Sequence, residues 1–282
     1  MHSELEIVAD DGHQWTADLY RPANARALLV YQAAMGVEAG YYRPLAEALA
    51  GHSIAVLVSD LRGIGTSSAR ASRKVDFGYR ELCEQDLPAA LSAARDAVPA
   101  LPVFVGGHSL GGQAACLYAA GHAHELAGLV LTAACSVHYK GFAGRNGHGA
   151  RVAGYLFPAL AKIVGHFPGT TLRFGKREAR RLMSDWGHIA RTGLYRPLGA
   201  TANYEELMHR CELDVLALSM ADDRWAPKAA VDGLLGKMPR AQTTHLHLSR
   251  GDLGVQTDHF RWVRTPSVPA QRIATWIDER LD

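Results

Sequence analysis

Three positions of this chain carry chemistry that works only in combination: a serine in a glycine-bracketed turn, an aspartate pair far downstream, and a late histidine. The serine lies within residues 101–112, LPVFVGGHSLGG. An apolar, β-branched run (Val103, Phe104, Val105) ends in Gly107-His108-Ser109-Leu110-Gly111, and an Ala-rich segment from Gln113 to Ala120 follows at once. That pattern reads as strand, very tight turn and helix, with Ser109 at the apex. A serine held there points its hydroxyl away from the sheet. The new helix aims its unpaired N–H groups at whatever sits above it. This is the G-x-S-x-G nucleophile elbow. Gly106 and Gly111 also have the glycine spacing of a phosphate-binding loop, but Gly112 and Gln113 stand where Lys and Ser/Thr are required.

A serine hydroxyl is a weak nucleophile at neutral pH and needs a base within hydrogen-bond reach. The base in turn needs an anion to fix its tautomer and stabilise its charge. Both follow later strand patterns. The run Val215-Leu216-Ala217-Leu218 leads into Ser219-Met220-Ala221-Asp222-Asp223-Arg224-Trp225-Ala226-Pro227, and a strand near 244–248 leads to a loop ending in Asp258-His259-Phe260. His245 and His247 alternate on that last strand. No third ligand has matching spacing, so they are expected to be ordinary strand positions, with no metal site.

The elements that must position these groups are legible as alternation. Residues 4–9 and Trp15 to Tyr20 flank an Asp10-Asp11-Gly12 turn as a hairpin. Ala27–Tyr31 and Ile54–Val58 read as buried strands, the elbow strand, Leu126–Leu131 and Asp214–Ser219 as further strands, and Thr244–Leu248 as an alternating one. Helices are expected over 41–50, 81–98 and 269–281. Strands alternating with helices imply a mostly parallel sheet covered on both faces. The alternation stops between Ala133 and about Leu213, a stretch rich in Gly, Arg, His and aromatics, with helical pieces near 152–164 and 175–186. It is too long for a connection inside a compact domain. The expected organisation is a core of residues 1–134 and 214–282 with a cap inserted at 135–213, lying over the serine.

Composition narrows the partners. The chain has 282 residues, 48% of them hydrophobic, and a formal net charge of +2, with its basic residues scattered, so nothing points to nucleic acid. No apolar run is long enough to span a membrane, so no membrane partner is expected. Four cysteines (Cys83, Cys116, Cys135, Cys211) show no paired spacing, and no leader pattern opens the chain, which together lead to the expectation of a cytoplasmic protein with reduced thiols. Oligomeric state is not readable.

With these residues in hand, the chain resembles the α/β-hydrolase superfamily over nearly its full length. In that family the acid commonly stands four residues before a proline, as in G-x-x-D-x-x-x-P. Met220 replaces the glycine here, but the step from Asp223 to Pro227 is kept, which favours Asp223 over Asp222 as the acid. His259 matches the family's late histidine. The resemblance implies an oxyanion hole from the backbone N–H of Leu110 and one N–H of the loop Gln32-Ala33-Ala34-Met35-Gly36: Ala34 by direct register, Met35 after a one-residue slip. Asp60-Leu61-Arg62-Gly63-Ile64-Gly65-Thr66-Ser67 matches the family's D-x-R-G-x-G-x-S, a loop-shaping segment. The cap is similar to that of a bacterial subgroup of predicted hydrolases through Gly165-His166-Phe167-Pro168-Gly169 and Asp185-Trp186. The function implied is hydrolysis of a small-molecule carboxylic ester, thioester or amide through an acyl enzyme, with no cofactor. Acyl transfer to an alcohol or amine, and a non-catalytic binding role, are the alternatives.

Overall fold

The computed structural model describes residues 1–281 and contains the strands β1 (His2–Val8), β2 (Gln14–Tyr20), β3 (Ala27–Gln32), β4 (Ile54–Ser59), β5 (Val103–His108), β6 (Gly128–Thr132), β7 (Phe167–Pro168), β8 (Arg177–Glu178), β9 (Asp214–Met220) and β10 (Gln242–Leu248). Eight of them form one sheet in the order β1-β2-β4-β3-β5-β6-β9-β10. β1, β2 and β4 pair antiparallel; from β4 to β10 all neighbours are parallel. Every residue of β3, β4, β5 and β6 is buried, as continuous apolar runs covered on both faces must be. The alternating sequences of β1 and β10 mark the two edges of the sheet.

Helices Arg43–Gly51 and Ser267–Asp278 cover one face, where Leu45, Leu49, Ile273 and Trp276 pack on Leu29, Tyr31 and Val56. Helices Leu87–Ala97, Leu110–His122 and Lys228–Leu235 cover the other, through Leu91, Leu117 and Leu234. The chain runs from β3 outward to β4 and then crosses back over β3 to β5. The C-terminal ends of β3 and β5 therefore flank a switch point, where open α/β sheets place their ligands. The Gln32–Gly36 loop and the Ser109 turn leave the sheet at this point.

The helix expected over 81–98 is interrupted. It opens as Tyr79–Glu81, widens into a π turn over Leu82–Asp86, and continues as Leu87–Ala97. Pro88 has no N–H to return to the preceding turn, and the wider turn accommodates that loss. The 135–213 segment carries helices Gly144–Val164, Arg180–Thr192 and Tyr204–Arg210, with the small β7–β8 ribbon between the first two. Its last part packs along the Leu110–His122 helix: Tyr195 is fully buried with its hydroxyl 3.4 Å from Gln113, and the Met208 sulfur lies 3.9 Å from Cys116 Sγ.

Candidate active site

Ser109 joins β5 to its helix at φ 54° and ψ −118°, in a left-handed region that side-chain-bearing residues rarely adopt. Such strain persists only where the surroundings impose it. They do so here by close approach. A Cβ on Gly107 would stand 2.6 Å from the Gly111 carbonyl carbon, and one on Gly111 would collide with the carbonyl oxygens of Ala33 and Gln32. Two glycines thus let the elbow fold back on itself and let the end of β3 lie against it. Ser109 is left partly exposed at the N-terminus of a 13-residue helix.

His259 Nε2 lies 3.0 Å from Ser109 Oγ, and its Nδ1 lies 2.7 Å from Asp223 Oδ2. With the carboxylate accepting from Nδ1–H, Nε2 is left as the acceptor facing the serine. Asp223 is buried, and its other oxygen accepts the backbone N–H of Trp225 (2.7 Å) and Ala226 (2.9 Å), so the carboxylate is held from both sides. The neighbouring Asp222 goes elsewhere. It accepts from Arg250 Nε at 2.7 Å and from the Thr257 N–H and hydroxyl, and the Arg250 guanidinium holds its carboxyl down at about 2. Adjacent aspartates therefore do separate jobs: one meets the imidazole, the other ties the β9 loop to the loop that carries His259. That second loop is also pinned by Trp262 Nε1 donating to the His259 carbonyl and by the Tyr41 hydroxyl donating to that of Phe260.

The β3 loop separates its two candidate donors, Ala34 and Met35. The Ala34 N–H donates to the Tyr42 hydroxyl at 2.9 Å in a fully buried setting, so it is not free to meet a substrate oxygen. The Met35 N–H has no hydrogen-bond partner among the described residues. The Tyr42 hydroxyl lies 2.8 Å from His108 Nδ1; since it accepts from Ala34, it donates to the imidazole. Burial holds His108 well below the usual histidine range, so it stays neutral and fit to accept. Its ring sits 4.7 Å from that of His259 and edge-on to Trp262 at 5.4 Å. Sequence reading missed Tyr42 and His108. The tyrosine carries no motif, and His108 reads only as the variable position of the elbow.

The 135–213 segment reaches this region from one side. Gly175 lies against Gly36 and Met35 of the β3 loop, and the Phe174 ring is 5.4 Å from Trp225, beside Asp223. Phe157, Phe167, Phe174 and Trp186 stack on one another as that segment's own core. An open cavity of about 800 Å³ adjoins His259, bordered by Tyr41, Asp223, Trp225 and Phe260.

Residues 23–249 match the family model Hydrolase_4, described as serine aminopeptidase, S33. The chain belongs to this α/β-hydrolase family. The match takes in Ser109 and Asp223 and ends before His259. Among curated relatives, this α/β-hydrolase is 25% identical to human monoglyceride lipase over 97% of its own length and 90% of that protein's. It is 24% identical to the mouse enzyme over 98% and 90%. Among solved structures, the fold is shared with the esterase domain of a Rhodothermus marinus protein (TM-score 0.68, 18% identity, all of both chains covered). It is shared too with the monoacylglycerol lipase of Paleococcus ferrophilus (TM-score 0.61, 16% identity, 94% and 98% covered).

Among the described residues, two further Ser-His-Asp sets lie away from this site. Ser67 Oγ is 2.8 Å from His13 Nε2, whose Nδ1 is 3.1 Å from Asp86. Ser219 Oγ is 2.7 Å from His245 Nε2, whose Nδ1 is 2.7 Å from Asp232. The same Ser219 hydroxyl lies 2.7 Å from His247 Nδ1, so both strand histidines are engaged in one hydrogen-bonded group.

Proposed function

We propose that this α/β-hydrolase cleaves a small-molecule carboxylic ester through an acyl enzyme, with Ser109 as nucleophile, His259 as general base and acid, and Asp223 as the anion that orients His259. His259 Nε2 takes the hydroxyl proton as Ser109 Oγ attacks the acyl carbon. It then gives that proton to the leaving alcohol as the C–O bond breaks. Water repeats the sequence on the acyl serine: its proton goes to His259, the acid departs, and Ser109 recovers its hydrogen. The oxyanion of each tetrahedral intermediate is held by two backbone donors. Leu110, the first residue of its helix, has no intrahelical acceptor for its N–H. Met35 supplies the other N–H, because Tyr42 already takes that of Ala34. Residues 135–213 act as the cap, contributing Phe174 and Gly175 at the rim, on a core of residues 1–134 and 214–282.

The observation that carries this reading is the imidazole of His259 standing 3.0 Å from Ser109 Oγ and 2.7 Å from the buried Asp223. The monoglyceride lipases among its relatives support an ester of a fatty acid with a small alcohol as the substrate class. The test is turnover of p-nitrophenyl esters graded by acyl length, with the products identified in the presence and absence of added alcohols. Wild type releases free acid at all acyl lengths it accepts, while Ser109→Ala loses turnover and keeps its circular dichroism. Retained activity in Ser109→Ala removes the nucleophile assignment, and the ester of the added alcohol as the main product replaces hydrolysis with transfer.

A further inference from the structure

We propose that helix Gly144–Val164 is a docking surface for anionic lipid, lying in the plane of a bilayer surface rather than crossing it. This 21-residue helix buries only Gly147, Gly154 and Ala161. On its outer side Val152, Tyr155, Leu156 and Ile163 are each between 53% and 72% exposed, with Ala159 exposed among them. Their spacing puts them on one face over three turns, so they form a continuous apolar stripe rather than scattered exposed residues. A stripe of this kind on a folded protein marks a contact surface.

Charge selects the occupant. Between Glu125 and Glu178 the sequence contains no Asp or Glu but seven Lys and Arg, in a protein whose totals, 30 basic and 28 acidic, nearly balance. On the helix itself Arg145, Arg151 and Lys162 are exposed, and none makes an ion pair among the described residues. Arg145 falls at the head of the apolar stripe and Lys162 along its flank. An apolar face bordered by cations and free of anions fits a bilayer with negatively charged headgroups: the side chains enter the acyl boundary and the cations meet the phosphates. Among the described residues no helix is long and apolar enough to cross a membrane, so the contact is peripheral.

The inference does not rest on the catalytic reading, and its test keeps the two apart. The full chain and its Ser109→Ala variant are sedimented with phosphatidylcholine vesicles, with and without phosphatidylglycerol, in dilute and concentrated salt. Both proteins are expected on the phosphatidylglycerol vesicles, with binding weakened by salt. The double variant Leu156→Glu, Ile163→Glu is expected to bind those vesicles at least about tenfold less well, with turnover of a soluble short-chain ester unchanged. Three results overturn the proposal: no partition of the wild type, partition that the double variant leaves intact, or self-association through this helix that the double variant abolishes while no vesicle binding is found.

Discussion

Ser109 and Ser67 each sit within hydrogen-bond reach of a histidine whose other nitrogen meets a buried aspartate, and only Ser109 is proposed to react. Ser67 is 3% exposed, and its oxygen also accepts the N–H groups of Gly63 at 2.9 Å and Ala69 at 3.2 Å. Asp86, its aspartate, is occupied by the Arg62 guanidinium, which reaches Asp11 as well. That set is a buried clasp joining the β1–β2 turn, the Asp60–Ser67 loop and the π turn. Ser219, the third such serine, is buried inside β9. Ser109 differs in being thrust out at a positive φ, partly exposed, with a helix N-terminus and the β3 loop beside it. Matching distances define a hydrogen-bonded chain. Access and an adjacent place for the developing charge turn such a chain into a catalytic one.

The sharpest way to break this comparison is to remove each histidine in turn. His259→Ala is expected to lower kcat by about 10⁵-fold with the fold retained. His245→Ala is expected to change kcat by less than about threefold, though it costs stability by leaving Ser219 short of a partner. Comparable losses in the two variants would erase the distinction drawn between the sets. Next in size is the aspartate pair. Asp223→Asn should cost about 10⁴-fold in kcat, because the amide favours the wrong imidazole tautomer. Asp222→Asn should lower the melting temperature while leaving kcat within about threefold, since it acts on the loop tie to Arg250 and Thr257.

A smaller effect is expected at Tyr42. Tyr42→Phe frees the Ala34 N–H and leaves His108 Nδ1 without its donor, loosening the loop that presents Met35. An order of magnitude, about tenfold, should come off kcat with KM unchanged, because the oxyanion exists only after attack. A change in KM alone would assign Tyr42 to substrate binding instead. The smallest concerns the 135–213 segment. Burial pushes the Asp185 carboxyl up to about 6 from its usual 3.8, while it accepts the N–H groups of Tyr79 and Leu198. A carboxyl raised on folding takes up protons in the native state, so its contribution is fully present below 3.8 and is lost as pH rises through about 6. Melting temperature against pH should therefore fall less over that window in Asp185→Asn than in wild type; parallel curves would refute the assignment.

How much of this could be read from sequence follows from how local each signal is. The elbow is written in consecutive residues, and the Asp223-to-Pro227 step separates two adjacent aspartates that composition cannot tell apart. The proposed oxyanion loop is different. A backbone donor has no side chain to announce it, and the partner that takes Ala34 out of play stands eight residues on with no motif of its own. The helix expected at 175–186 is Arg180–Thr192, because Gly175 at φ 70° and the β7–β8 ribbon, through Arg177–Glu178, take up its first residues. The helix expected from about 152 begins at Gly144, its early glycines having masked the first two turns. The Ser67 and Ser219 sets were invisible for a further reason: their members lie on segments that meet only through the sheet and its crossovers.

The most direct measurement is the site of covalent labelling by a fluorophosphonate, read by mass spectrometry of the digested protein. The account predicts a single adduct on Ser109, none on Ser67 or Ser219, and a labelling rate that collapses in His259→Ala. An adduct on either of the other serines, or labelling that survives Ser109→Ala, would contradict it.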